Sequence, residues 1–593
     1  MQHLCSEKSQ LFLTLGALLL ATGLVPLTSA SPRHDNQAGN GRSHHLKHVL
    51  LISIDGMHAL DFINCSKGIS GANGGAPYCP NLAALSETGV NYLETSTSKP
   101  SDSFPGLTAI VSGGSPRTEG TFYDVAYDRS LAPPANPLGT GNGLAGGPGL
   151  CTPNVFSGTT TEYEEGIDFD QTQLNGGAPG GSDGGILSIN PANLPRDPAN
   201  NCQPVYPWNF VRTNTIFGVI HAAGGYTAWS DKHPAYSSVA GPGDGSNVDD
   251  YYSPEINSIP VGLQHIPGCD PLPDQSAVSP KNAWTDSFQN IQCYDTLKVN
   301  AVLNWINGKT HNGMGSAPRP ALFGMNFQVV SVGQKLIEGR LGLTGGYQDA
   351  QGTPTPSLLS EIIFADSSIG QMVAALKANG IYDDTLIVIS AKHGQSPIDS
   401  SRYLGISNSA NDPVTTSPSQ LIDNCLPDSE SNAGAQIGPT EDDISLLWLK
   451  SNCSAQSQVN TLETQSPAAN NIAGIGEIFW GPALTQMFNT PGLPPNGDPR
   501  TPDIIVTPNI GVTYSGSTKK LAEHGGFSHD DTNVIMLLSN PSFDRRTVTS
   551  PVETEQIAPT ILKALGLDPN RLQAVQIEGT QVLPAVQFDR DGN

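Results

Sequence analysis

The run His48-Val-Leu-Leu-Ile-Ser-Ile-Asp55-Gly56 is apolar without alternation and stops at an Asp-Gly turn. A strand with one wet face alternates apolar and polar residues. An unbroken run this short is instead covered on both faces, as a central strand of a parallel sheet is. Stretches of the same kind recur at 321–327, 386–390, 503–506 and 533–538, and amphipathic helical patterns stand between them at 359–379 and 555–565. That alternation predicts an α/β fold with a mostly parallel central sheet flanked by helices on both faces.

Long Gly-, Pro- and Asn-rich segments interrupt the pattern near 130–205, 237–290, 400–440 and 480–500. With 64 Gly and 48 Pro in 593 residues, the chain is too rich in turn formers for a coiled coil, a helical bundle or a long solenoid. Loops of such length in a globular chain are stapled or functional. Of nine cysteines, Cys5 lies in an N-terminal leader, which leaves Cys65, Cys79, Cys151, Cys202, Cys269, Cys293, Cys425 and Cys453. Neighbour pairing (65–79, 151–202, 269–293, 425–453) is the expectation, among roughly 105 connectivities open to eight cysteines. The leader, Lys8 followed by an apolar stretch at 11–27 and the small residues Thr28, Ser29 and Ala30, reads as a signal peptide over 1–30. A polar lead-in follows over 31–46, and 47–593 is expected to be a single catalytic domain carrying the four segments as insertions. Signal peptide and paired cysteines predict a secreted, extracellular protein, with no stable membrane span in the mature chain. Asn64 and Asn452 each open an Asn-Cys-Ser sequon and are candidate glycosylation sites.

Charge narrows the partners. The 29 Lys and Arg against 54 Asp and Glu leave a formal charge of -25. A field of that sign repels nucleic-acid polymers and anionic membrane surfaces, so an anionic partner is small and drawn in by local cations.

Ligands of open α/β sheets bind beyond the carboxyl ends of the strands. Asp55 stands there, as a cation ligand, a base or a simple turn residue. In Ser101-Asp102-Ser103-Phe104-Pro105-Gly106, Pro105 reads as a first helical residue. Ser103 then lies at a helix N-terminus, a place that suits an incoming phosphoryl group or an ordinary capping serine. Two His-Gly pairs border buried strands, in Lys392-His393-Gly394 and Glu523-His524-Gly525.

The order Ile-Asp-Gly, Pro80-Asn-Leu82, Ser-Phe-Pro-Gly, Ser-x-x-His-Gly and His-Gly resembles the type I phosphodiesterase/nucleotide pyrophosphatase family of the alkaline phosphatase superfamily. The stretch 555–566 is similar to that superfamily's C-terminal helix. The resemblance covers most of the scaffold and none of the long insertions. It implies an alkaline-phosphatase-like fold and hydrolysis of phosphate esters at two zinc ions, through a Ser or Thr that becomes a covalent phospho-enzyme. Ser103 matches the nucleophile, and Asp55, Ser103, His393 and His524 match metal ligands. Gly106 stands where nucleotide-cleaving members place a phosphate-binding Asn.

Two further departures concern the metals. The family's Asp-Ser-x-Gly-His corresponds to Val330-Ser331-Val332-Gly333-Gln334, preceded by Asn326 and Gln328, and neither ligand survives. The family's Asp-His-Gly has become Lys392-His393-Gly394. The expectation is therefore one divalent ion, zinc, rather than two, or none, with the Lys392 ammonium standing in for a lost metal at the Ser103 oxygen. Asp231, Lys232 and His233 read as a pocket rim or a solvated turn, and Lys99 as a substrate contact or a solvated side chain. His529-Asp530-Asp531 reads as a replacement ligand set or a bracing network. The sequence thus predicts a secreted hydrolase of small phosphate esters, phosphodiesterase- or phosphatase-like, with Ser103 and Lys392 catalytic. The rival is a catalytically inactive superfamily member acting as an extracellular binding protein.

Overall fold

The computed structural model describes residues 45–136, 147–164, 166–259, 269, 284–406, 416–427, 440–465, 474–515, 517 and 519–588. The expected signal peptide, most of the lead-in and parts of the segments near 130–205, 237–290 and 400–440 lie outside the described residues. The central sheet has eight strands: β1 (His48–Ile54), β2 (Gly89–Tyr92), β3 (Thr227–Ser230), β4 (Asp250–Tyr252), β5 (Leu322–Phe327), β6 (Thr385–Ser390), β7 (Leu537–Ser539) and β8 (Arg546–Val548). Their spatial order is β8-β2-β7-β6-β1-β5-β3-β4. Every neighbouring pair is parallel except the two made by β7, which runs against β6 and β2. The principal helices are α1 (Ser103–Ser112), α2 (Phe288–Ile306), α3 (Pro356–Ala378) and α4 (Ile557–Ala564).

β1 shows why its sequence does not alternate. Leu50, Ile52 and Ile54 enter one core with Ile291 and Val302 of α2 and Ile362 and Ile369 of α3. Val49 and Leu51 enter the other, with Leu107 and Ile110 of α1 and Ile557 and Ile561 of α4. Each such burial contributes about 1.5–3 kcal/mol before conformational entropy is charged against it. α3 opens on Thr355, whose side chain accepts from the Leu358 N–H, with Pro356 at the first helical position. Among the described residues it is the helix long and apolar enough by composition to cross a membrane, which the sequence pattern did not lead us to expect. Here Leu358, Ile362, Ile369, Met372 and Leu376 pack into the core.

Two apolar runs are placed differently from expectation. Ile504–Pro508 lies outside the central sheet, in a four-stranded antiparallel sheet with Thr440–Glu441, Ser445–Leu447 and Ile475–Trp480. The run at 533–538 yields only the short antiparallel β7. An apolar run reports that both faces are covered and not which partners cover them.

The disulfides are Cys65–Cys79, Cys151–Cys202, Cys269–Cys293 and Cys425–Cys453. The segment stapled by the second is more than decoration, because its strand Thr159–Glu162 is wholly buried against Val125–Asp128. Asn64 corrects one expectation: it is buried, its Nδ2 donates to the carbonyls of Gln351 and Gly352, and its neighbour Cys65 is bridged. The folded chain does not offer that amide for glycosylation, whereas Asn452 is exposed.

Register positions the site. Ser53 of β1 lies opposite Asn326 of β5 and Ser390 of β6, so the three strands end level. Asp55, Gln328 and the Lys392-His393 pair therefore emerge along one edge.

Candidate functional site

α1 begins at Ser103, two residues before the expected Pro105, and its N-cap is Asp102, whose Oδ2 accepts from the N–H groups of Phe104 (3.1 Å) and Asp124 (3.0 Å). All ten residues of α1 are buried. Gly106 is what lets the helix come so close: a Cβ there would lie 2.1 Å from the carbonyl oxygen of Lys392. Gly106 is thus a backbone-to-backbone packing point, and the Asn implied by the resemblance has no room.

This approach delivers Ser103 to the strand ends. Its Oγ lies 3.2 Å from His393 Nε2, 3.4 Å from Lys232 Nζ and 3.5 Å from Asp55 Oδ2. Asp55 Oδ2 accepts from Gln328 Nε2 at 2.7 Å and Asn326 Nδ2 at 3.0 Å, and faces His393 Nε2 at 3.7 Å and Lys392 Nζ at 3.9 Å. Lys392 Nζ donates to Asp231 Oδ1 at 2.8 Å and stands 4.0 Å from the centre of the Tyr236 ring. Lys232 Nζ donates to Glu164 Oε1 at 2.5 Å. The His524 ring lies against that of His393, tilted by 31° with ring centres 3.9 Å apart, and its Nδ1 lies 3.5 Å from Asp102 Oδ1.

Asp55, Ser103, Asp231, Lys232, Lys392, His393 and His524 are therefore brought together. The Asp231-Lys232-His233 stretch is a buried network rather than a solvated turn or an open rim. His233 is one step removed from Ser103: its Nδ1 lies 2.9 Å from Glu255 Oε2 and its Nε2 3.7 Å from Glu164 Oε1. Lys99 is exposed, and among the described residues no hydrogen bond or ion pair joins it to the cluster. His529-Asp530-Asp531 braces: the Asp531 carbonyl accepts from Ser101 Oγ (2.7 Å) and the Gly394 N–H (2.6 Å). The expected role of Lys392 also shifts. Its ammonium is held by Asp231, and Lys232 is the lysine that reaches the Ser103 oxygen.

Charges in the cluster are mutually set. Burial pushes the Asp55 carboxyl up, but Lys392 and His393 outweigh it and hold the group well below the usual range. Burial likewise disfavours the charged forms of Lys232 and Glu164, yet each keeps the other ionised. Asp102 is pushed up to about 6 by burial and by Glu164. Asp124 is held well above the usual carboxylate range by burial, then by Asp102 and Glu164. Burial, followed by the neighbouring His393, drives His524 well below its usual value, so it is neutral.

The donor set does not fit the two-zinc centre implied by the resemblance. Among the described residues no three His, Cys, Asp or Glu side chains are grouped to hold a metal ion. Asp55 is enclosed by two amides and an ammonium, and Lys232 stands against the Ser103 oxygen. A divalent ion 4 Å from an ammonium is repelled by roughly 8 kcal/mol at an effective dielectric of 20. Of the alternatives the sequence left open, one divalent ion or none, the residues present do not fit a resident zinc.

The sequence pattern did not point to Glu164, Asp124 or Tyr236, and it presented Asn326 and Gln328 only as lost ligands rather than as donors to Asp55. Asp102 carried a usable signal, an Asp directly before a Ser-Phe-Pro helix start.

The family description "Type I phosphodiesterase / nucleotide pyrophosphatase" matches residues 49–148 and 235–530. No curated protein matches the chain by sequence. Among solved structures the chain is similar to murine ectonucleotide pyrophosphatase/phosphodiesterase 5, at 13% identity over 88% of this chain and 96% of that one, with a TM-score of 0.46. An inactive variant of the murine protein in complex with AMP gives 13%, 88%, 96% and 0.47, and the human counterpart 12%, 88%, 95% and 0.46.

Proposed function

The chain belongs to the type I phosphodiesterase/nucleotide pyrophosphatase family of the alkaline phosphatase superfamily, and on that premise we propose that it hydrolyses small phosphate esters with Ser103 as nucleophile and His393 as its base. The observation that carries this reading is the orientation of His393. Its Nδ1 lies 2.7 Å from the Gly394 carbonyl oxygen, which only accepts, so Nδ1 carries a proton whether or not the ring is charged. In the form with that single proton, Nε2 offers its lone pair to the Ser103 hydroxyl at 3.2 Å.

In this mechanism Ser103 Oγ attacks phosphorus while Nε2 takes the hydroxyl proton. The ester oxygen departs and receives that proton, leaving as an alcohol. Water, with His393 again as base, hydrolyses the phosphoserine and restores the serine. Asp55, 3.7 Å from Nε2, favours the transient imidazolium. Lys232 offsets charge growing on the nucleophile and the phosphoryl oxygens. Lys392, tied to Asp231, supplies a fixed positive field. The disulfides support a place outside the cell.

The test is turnover of chromogenic phosphate mono- and diesters. Ser103→Ala is expected to lose activity on the order of 10³-fold or more; equal rates for wild type and variant would remove Ser103 as nucleophile. A second reading, a catalytically silent family member that binds a ligand outside the cell, is favoured by one observation: Ser103, Asp55 and Lys392 have no exposed surface. It expects no turnover by wild type on the same substrates.

A further inference from the structure

Glu164 is a charged member of the cluster that comes from the disulfide-stapled segment near 130–205 and not from the strand ends. It follows the strand Thr159–Glu162, whose pairing with Val125–Asp128 anchors the backbone just before it. Its carboxylate grips the Lys232 ammonium at 2.5 Å, and that ammonium is 3.4 Å from the Ser103 oxygen. The groups around Ser103 are graded in exposure. The Glu164 side chain is 21% exposed and Lys232 9%, while Lys392 and Asp55 have none. Glu164 is thus the outermost of these four charged groups, bound to the lysine that an incoming anion would need. Like charges repel strongly at contact distance where water is scarce, so a phosphoryl oxygen and this carboxylate do not share the ammonium without loss.

We propose that Glu164 is an internal plug of the anion site: its carboxylate holds Lys232 in the resting protein and swings away before a phosphate-type anion reaches Ser103. The proposal rests on the reading of this pocket as a phosphate-ester site, and adds how access to it is controlled. The displaced carboxylate has somewhere to go. His233 Nε2 lies 3.7 Å from Glu164 Oε1. Although burial lowers the His233 pKa, Glu255 and Glu164 push it up to about 10, so that ring carries a proton. Asp124, whose carboxyl is held above the usual range by burial and by Asp102 and which lies in hydrogen-bond contact with Glu164, offers a second partner. Turning from Lys232 to these groups exchanges one charge-assisted hydrogen bond for another.

The experiment is calorimetric titration of inorganic phosphate into the full chain carrying Ser103→Ala, with and without Glu164→Gln. The added Gln is expected to tighten phosphate binding about tenfold, because the isosteric amide leaves the pocket shape while removing the competing charge. Unchanged or weaker binding overturns the plug, since Glu164 would then be a neutral bystander or a group that orients Lys232 for the anion. Absence of phosphate binding in both proteins overturns it as well. Should Glu164→Gln fail to melt cooperatively, Glu164→Asp takes its place: it draws the carboxylate back by one carbon, so tighter phosphate binding supports the plug and unchanged or weaker binding overturns it. The titration needs no turnover. Equal hydrolysis by wild type and Ser103→Ala would sink the hydrolase reading while the phosphate result stands by itself.

Discussion

Two lysines sit in the Ser103 cluster with the same charge and in different surroundings. Lys392, just past β6, is fully buried, with Asp231 at 2.8 Å, Asp55 at 3.9 Å and the Tyr236 ring beneath its ammonium. Asp231 follows β3 and Asp55 follows β1, so this nest is welded to the ends of the central sheet. Lys232 also follows β3, but its carboxylate partner arrives on an inserted segment and is partly open to solvent. A charge whose partners are all held by strand ends cannot be released to a ligand without disturbing the fold; one whose partner rides on an insertion can. The two ammonium groups therefore divide the work, Lys392 as fixed field and Lys232 as the group that meets a substrate.

The largest expected effect lies on the buried side. Lys392→Met leaves Asp231 and Asp55 without their cation in a site that excludes water, at a cost of about 3–5 kcal/mol. A lowered midpoint in a thermal or denaturant melt reads it. Lys232→Met is expected to do the reverse, costing little stability, because His233 and Asp124 remain to hold Glu164, while turnover falls about 10²-fold. The comparison breaks if Lys232→Met is the more destabilising of the two, or if Lys392→Met folds normally and loses only activity.

A smaller effect sharpens the Lys232 side. The His233 pKa is raised from an ordinary 6.5 to about 10 despite burial, through Glu255 and Glu164. A raised folded-state value means that its contribution to stability is fully present below about pH 6.5 and is lost as pH rises through about 10. Melting temperature should fall across that window in wild type and fall less in His233→Gln. Parallel curves would mean that the ring is not charged by its two carboxylates.

How much of this could be read beforehand follows the range of each interaction. The strands β1 and β6 were legible because an unbroken apolar run stopping at Asp55-Gly56, or just before Lys392-His393, is a local signal, and β5 because 321–327 is mostly apolar in the same way. The disulfides were legible for the same reason, each joining neighbours in sequence. Ile504–Pro508 shows the limit, since its apolarity is equally at home in either sheet. Gly106 looked like a lost substrate contact because its cause, the Lys392 carbonyl against α1, is a contact between distant segments that leaves no spacing in the sequence. Asp231, Lys232 and His233 were found as a group, but their division of labour depends on Glu164. No periodicity marks Glu164 within a Gly- and Asn-rich insertion.

The smallest expected effect is no effect at all, and it tests both lysines at once. If Lys232 and Lys392 supply the positive charge that the resemblance assigns to zinc, removing divalent ions changes neither nest. Hydrolysis and melting temperature of protein dialysed against EDTA should match those of untreated protein, and elemental analysis should find no zinc bound in proportion to chain. The physical ground is mutual exclusion, because a zinc ion at the Ser103 oxygen would face the Lys232 ammonium 3.4 Å from that oxygen, with Lys392 beside Asp55, and like charges that close repel by several kcal/mol even with screening. Activity that disappears with the chelator and returns with zinc would require Lys232 or Lys392 to leave the cluster. The contrast between a fixed and a displaceable lysine would then have to be redrawn around a metal.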